Sequence, residues 1–183
     1  MTRHKKYVLT AMCITLCVVL PLTFHLLPGT ANTLMPMHIP VLLSGLVIGP
    51  YFGFLTGLFG PLLSHFTQGM PTGLNVPVMM IELSAYGLFC GLFAKIFERP
   101  RFQKNSRYFS LYASMIPAML IGRVVGGLAR IALVHLFTPN LISEAWLAVW
   151  VSSYFITSAP GIIIQLVLIP SIVIALEKSK VIS

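Results

Sequence analysis

The feature that most constrains this chain is the stretch of residues 39–66, which contains no Asp, Glu, Lys or Arg. A single straight helix of that length would be about 42 Å long, whereas the hydrocarbon core of a bilayer is about 30 Å thick. The Gly49-Pro50 pair interrupts the stretch, and such a pair favours the end of one helix and the start of another. The stretch is therefore either one long bent span or two short helices that fold back on each other.

Composition places the chain in a membrane. Hydrophobic residues make up 57% of it and charged residues only 9%, whereas a soluble domain carries roughly 25% charged residues. The net charge of +8 comes from short basic clusters between apolar runs, which is typical of cytoplasmic loops. It therefore does not indicate nucleic-acid binding. We expect a single all-α integral membrane domain over residues 1–183.

The basic clusters decide how the stretch 39–66 must fold. Residues 2–6 are basic, and the densest cluster lies in 95–107, where only Glu98 opposes five cations: Lys95, Arg99, Arg101, Lys104 and Arg107. Both clusters should face the cytoplasm, so an even number of crossings separates them. The stretch then supplies two crossings or none. Two short spans hinged at the Gly-Pro pair and a re-entrant hairpin both satisfy this condition, and the sequence does not separate them.

The resulting prediction is a compact bundle of six transmembrane helices with both termini in the cytoplasm. The first apolar run is too long for a secretory signal peptide and is interpreted as a retained span. Cys13, Cys17 and Cys90 lie within apolar runs, which indicates buried thiols and no disulfide framework. The predicted spans are residues 7–27, 39–49, 51–66, 77–97, 108–136 and 146–177, the last with a break at 160–161.

Three ionisable residues fall inside predicted spans, namely Glu82, Arg123 and Arg130. Such groups cost at least about 2.5–3.5 kcal/mol near the bilayer centre, so they should face the bundle interior and find partners. Counting from the helix ends places Glu82 and Arg130 at matching depth, where they could pair, with Arg123 one heptad deeper. One interpretation is a purely structural salt bridge. The other is a polar floor beneath an outward-facing cavity, where Arg123 meets an acidic or carbonyl group of a ligand.

Motifs for catalysis are absent from the sequence. It contains no Asp, and no G-x-x-x-x-G-K-[ST], H-E-x-x-H or G-x-S-x-G pattern. We therefore predict no enzyme activity and no cofactor. Met35, Met37 and His38 are residue types that bind soft metals, but no second His or Cys cluster accompanies them, so no metal site is predicted. The preferred interpretation is a turn in which His38 caps the next helix or closes over a cavity.

Six short motifs in order along the chain resemble one transporter family. They are MPMHIPVLLSG at 35–45, GPYFG at 49–53, GMP at 69–71, ELSAYG at 82–87, GRVVG at 122–126 and PGIIIQ at 160–165. Together they resemble the substrate-binding S components of energy-coupling factor (ECF) vitamin transporters. The similarity is to the branch that includes carriers of pantothenate, hydroxymethylpyrimidine, pyridoxine, and cobalamin or its precursors.

The resemblance implies a six-helix subunit of a prokaryotic plasma membrane that captures a vitamin outside the cell. It implies docking on a membrane coupling subunit and two ATPases, and release of the vitamin by toppling. The family docks through small-residue patches, for which this chain offers Ala11 and Thr15 on the first span and Gly53 and Gly57 on the third. Substrate contacts are expected from Met35, Met37, His38, Gln68, Asn75, Glu82, Arg123, Trp146, Trp150 and Tyr154.

The substrate itself stays open at this stage. An arginine deep in the site slightly favours an acid such as pantothenate, whereas Glu82 could equally accept a hydrogen bond from an aminopyrimidine. Two other classes of protein remain as alternatives. A stand-alone secondary transporter should show an inverted internal repeat, and none is evident. A membrane scaffold should bind no small molecule.

Overall fold

A computed structural model of the chain describes residues 2–25, 34–97, 107–137, 152 and 156–179. These residues form six α-helices and, within those ranges, no strand, which agrees with the predicted all-α class. The last helix begins at residue 159, and most of the preceding part of the predicted span 146–177 lies outside the described residues. The helices are α1 (Arg3–His25), α2 (His38–Val47), α3 (Pro50–Gln68), α4 (Asn75–Phe97), α5 (Arg107–Phe137) and α6 (Ala159–Lys178).

Only four of these helices, α1, α4, α5 and α6, are both long and apolar enough to cross a membrane alone. Helix α2 has 10 residues and is therefore about 15 Å long, half the thickness of the hydrocarbon core. Helix α3 has 19 residues, or about 28 Å. Six complete crossings are therefore not confirmed.

The predicted hinge at Gly49-Pro50 is confirmed. Gly49 has φ 123° and ψ 173°, a conformation that favours glycine because it has no Cβ. Pro50 then begins α3, where its missing N–H costs nothing. Helices α2 and α3 pack on each other after the hinge, and the Thr56 hydroxyl donates to the Ser44 hydroxyl over 2.9 Å. One long bent span is therefore excluded.

Four glycines allow the α2–α3 hairpin to lie directly on the backbone of α4. A Cβ added to Gly53 would lie 2.5 Å from the Gly87 carbonyl oxygen and 2.8 Å from the Gly45 Cα. A Cβ added to Gly91 would lie 2.5 Å from the Pro50 nitrogen. Any side chain at these positions would force the helices apart.

This packing corrects part of the docking prediction. Gly53 and Gly57 are buried, and a Cβ on Gly57 would lie 2.3 Å from the Leu83 carbonyl. The two glycines therefore allow close contact with α4 inside this chain and are not available to a coupling subunit. Ala11 and Thr15 of α1 are exposed.

Contacts between helix ends show which ends lie together. Lys6 near the start of α1 lies 6.0 Å from the Phe52 ring, and Gly49 lies near the Lys95 side chain at the end of α4. Arg107 and Glu177 form a bidentate ion pair that joins the start of α5 to the end of α6.

Helix α5 runs antiparallel to α4. Gly122 packs against Tyr86 and Gly126 against Glu82, a register that places the start of α5 beside the end of α4. The basic positions 6, 95, 107 and 178 therefore share one end of the bundle.

Candidate functional site

The site lies where the start of α2 meets α4, α5 and the start of α6. Helix α2 begins about 15 Å from the hinge end of the bundle, so this meeting point lies well inside the bundle. The structure brings four of the predicted residues together here: Met35, His38, Glu82 and Arg123. The predicted contact residue Met37 is buried in the hydrophobic core, and its carbonyl faces the Cys17 thiol of α1.

Arg123 is the central cation of the site. It lies on α5 with 1% of its surface exposed. Its Nη1 donates to the Ser158 hydroxyl over 2.8 Å, and its Nη2 lies 3.6 Å from the Met35 sulfur. The guanidinium therefore connects α5 to the start of α6 and to the segment before α2. These contacts hold it in one orientation.

Met35 has a strained backbone. Its φ is 47°, which is unusual for a residue with a side chain. Its carbonyl accepts hydrogen bonds from the His38 backbone N–H at 3.1 Å and from the Gln165 side-chain amide at 3.4 Å. Such strain persists only where surrounding contacts enforce it, and it is often found at binding sites.

Glu82 and His38 form the second polar part of the site. The His38 Nε2 lies 3.8 Å from a Glu82 carboxylate oxygen, and the His38 ring packs edge-on against Tyr86 with centroids 4.9 Å apart. Helix α5 makes room for these side chains with two glycines. A Cβ on Gly126 would lie 2.7 Å from the Glu82 carboxylate, and a Cβ on Gly122 would lie 2.7 Å from the Tyr86 ring.

Two possibilities that the sequence left open for these groups do not hold. Arg130 is exposed and forms no ion pair with Glu82, which among the described residues pairs only with His38. Gly126 lies opposite Glu82, and Arg130 is one helical turn further along α5. His38 does not cap α2 either. Its ring is buried, and its nitrogens form no hydrogen bond within the described part of the chain.

The site carries opposite charges in separate places. Arg123 supplies a cation between α5 and α6, and Glu82 supplies a carboxylate beside α2. The described residues contain no group of three His, Cys, Asp or Glu side chains that could hold a metal ion. The Met35 sulfur faces a guanidinium, which would repel a metal cation. The arrangement is instead suited to a polar organic ligand.

Comparison with known protein families gives the decisive observation. The family model described as "ECF transporter, substrate-specific component" matches residues 5–173. This chain belongs to that family. No curated protein and no solved structure matches it at a significant level. The protein is thus a substrate-binding subunit of an ECF transporter and not an enzyme. It is a multi-pass membrane protein that binds a small molecule and assembles with other components of the ECF module.

Not every predicted contact lies at the site of this S component. The Gln68 amide donates to the Val18 carbonyl, which ties the end of α3 to α1. Asn75 is exposed at the start of α4, and within the described part of the chain no hydrogen bond joins it to the cluster. Three further predictions fall outside the described residues: Trp146, Trp150 and Tyr154.

Three residues at the site were not predicted from the sequence, although the sequence pattern around two of them indicated an inward-facing position: Tyr86, Ser158 and Gln165. Tyr86 is four residues after Glu82 and so shares its face of α4. Gln165 is the one amide in a long aliphatic run, and a lone polar group in a span should face the interior. Ser158 precedes α6 in a typical capping position, but its hydroxyl accepts from Arg123 and makes no cap.

Proposed function

We propose that this S component captures a water-soluble vitamin or vitamin precursor outside the cell, with pantothenate favoured, and binds it at the Arg123 cluster. The observation that carries the proposal is the fully buried guanidinium held between α5, Ser158 and Met35. A buried arginine costs free energy unless its charge is used. Carboxylates match the fork of N–H groups on a guanidinium better than any other biological group.

The position of α6 adds to the preference for an acid. Helix α6 begins at Ala159, next to the residue that binds Arg123. The amino end of a helix carries a partial positive charge, which favours anions nearby. The cation and the helix end therefore attract negative charge to the same side of the cluster.

Glu82 supports a second candidate substrate. Its carboxylate is buried beside His38, and an acceptor of this kind would suit the amino group of an aminopyrimidine such as hydroxymethylpyrimidine. Arg123 would then meet a ring nitrogen or hydroxyl oxygen. An acid remains favoured, because a carboxylate matches the fork of N–H groups on a guanidinium better than a ring nitrogen or hydroxyl oxygen does.

The end of the bundle that carries positions 6, 95, 107 and 178 is proposed to face the cytoplasm of a prokaryotic cell, as the positive-inside rule requires. The vitamin then enters from the opposite end. We propose that Ala11 and Thr15, which are exposed on α1, contact the coupling subunit. Together with two ATPases, that subunit drives toppling and release.

Affinity purification of the tagged protein from its native cells tests the assignment. We expect a coupling subunit and two ATPases to co-purify, and mass spectrometry to find a vitamin acid in the preparation. ATP-dependent uptake should require the whole complex. Transport by the pure chain in ATP-free liposomes would instead identify a stand-alone secondary transporter.

A further inference from the structure

The two ring nitrogens of His38 are buried. The residue is 3% exposed, and neither ring nitrogen forms a hydrogen bond within the described residues. Native proteins rarely leave a buried polar group unpaired, because the hydrogen bonds that it loses with water are then not replaced. A polar neighbour of the ring is Glu82, which is itself only 5% exposed. The two side chains thus form a buried polar pair.

The distance between the two side chains fits a bridging atom. The 3.8 Å from Nε2 to the carboxylate oxygen is too long for a direct hydrogen bond. An oxygen placed to one side of that line could lie about 2.8 Å from both atoms, which is a normal hydrogen-bond length. One small group could therefore form hydrogen bonds with both His38 Nε2 and Glu82.

The chemistry of the two partners selects that group. An ionised carboxylate only accepts hydrogen bonds, and the imidazole nitrogen that faces it is best occupied by N–H, which donates. The bridging group must then donate to Glu82 and accept from His38. A hydroxyl does both, whereas an ammonium group cannot accept and a carbonyl cannot donate.

We propose that His38 and Glu82 bind a hydroxyl group of the substrate while Arg123 binds its acid group, so that the substrate class is a hydroxycarboxylic acid. This inference rests on the proposed function, since it assigns a second part of the same ligand. The two binding groups lie on neighbouring parts of α4 and α5. Gly122 and Gly126, which flank Arg123 on α5, pack against the Tyr86 ring and the Glu82 carboxylate.

Pantothenate and its dideoxy analogue, in which both hydroxyls are replaced by hydrogen, test the proposal as a pair of probes. Their affinities for the purified wild-type protein are compared by isothermal titration calorimetry. Hydrogen bonds to charged groups contribute enough for the wild type to bind pantothenate about 10- to 100-fold more tightly. In Glu82→Gln and His38→Phe the ratio of the two affinities should fall severalfold. Each substitution removes a hydrogen bond to the hydroxyl of pantothenate, and the analogue has no hydroxyl to lose it.

Ser84→Ala is the matched control. Ser84 is a buried polar residue on the same helix whose hydroxyl also has no hydrogen-bond partner within the described residues. Its removal should leave the ratio at the wild-type value. Thermal unfolding of each variant shows which ones are folded, and the Phe variant retains a ring to pack on Tyr86. Equal affinity of the wild type for both probes, or an unchanged ratio in both site variants, would overturn the proposal.

A different result separates this inference from the proposed function. If pantothenate does not bind the wild type at all, the favoured acid is wrong. The hydroxyl assignment is then decided by a high-resolution structure of the wild type as purified. A ligand hydroxyl within hydrogen-bond distance of both His38 Nε2 and Glu82 supports it. A direct hydrogen bond between the two side chains, or a water molecule in the bridging place, contradicts it.

Discussion

Replacing Gly57 with alanine tests whether the α2–α3 hairpin depends on backbone contact with α4. The new Cβ would lie 2.3 Å from the carbonyl carbon and oxygen of Leu83 and 2.4 Å from the Ser84 nitrogen. Carbon atoms in ordinary contact are about 3.5–4.0 Å apart. Because all three atoms belong to a helix backbone, α3 and α4 must separate by more than about 1 Å.

The expected loss of stability follows from two opposing effects. Overpacking of this kind costs typically about 1–3 kcal/mol, and the rigid neighbours here place it at the upper end. Alanine gains back about 1 kcal/mol over glycine in a helix interior. The net loss should therefore be about 2 kcal/mol. Since α4 also carries Glu82, the same shift should weaken ligand binding.

Gly60→Ala is the matched comparison on the same helix. Its Cβ would meet only the Cys17 side chain of α1, at 2.9 Å, and α1 is the least buried of the candidate spans, so it can move. The free energy of unfolding of Gly60→Ala should therefore differ from that of the wild type by less than about 1 kcal/mol. Thermal unfolding of both variants in detergent measures the difference. A Gly57→Ala protein as stable as the wild type would refute the packing described here.

Three further predictions address other parts of the molecule. Arg107→Ala and Glu177→Ala should each lower the free energy of unfolding by less than about 1 kcal/mol, since the ion pair is about one-third exposed. A larger coupling energy between the two residues in a double-mutant cycle, measured by thermal unfolding, would contradict this. Met35→Gly should raise the unfolding temperature, because it relieves a strained φ that costs about 1–3 kcal/mol; an unchanged or lower temperature would show that the lost side-chain contacts matter more. Cysteine introduced at Lys95 should resist an impermeant thiol reagent applied to intact cells, and cysteine at Asn75 should react; the reverse pattern would invert the proposed orientation.

The sequence predicted the hinge and most of the polar cluster because both depend on local chemistry. Gly49-Pro50 cannot continue a helix, and ionisable residues deep within a span, such as Glu82 and Arg123, must face the interior of a bundle, whereas Arg130 nearer the helix end is exposed. These requirements hold for any arrangement of the helices. They could therefore be recognised without knowledge of the partners.

Predictions that depended on the register between helices were less accurate than those that depended on local chemistry. Counting from the helix ends allowed Glu82 to pair with Arg130, but the register in the structure places Gly126 opposite Glu82, about 6 Å along the axis from Arg130. The glycine spacing at 53 and 57 correctly indicated close helix contact but could not say with which helix. Small residues are compatible with a partner inside the chain or outside it, and only the packing distinguishes the two.

Binding of pantothenate to wild type, Arg123→Lys and Arg123→Gln in lipid nanodiscs tests the central claim most directly. Loss of one partner from a buried charged contact costs about 2–5 kcal/mol, so Arg123→Gln should bind at least about 30-fold more weakly. The affinity of Arg123→Lys should lie between those of the wild type and Arg123→Gln, because lysine keeps the charge but lacks the fork of N–H groups. If Arg123→Gln binds as tightly as the wild type and is only less stable to heat, Arg123 is a structural residue and the substrate site lies elsewhere.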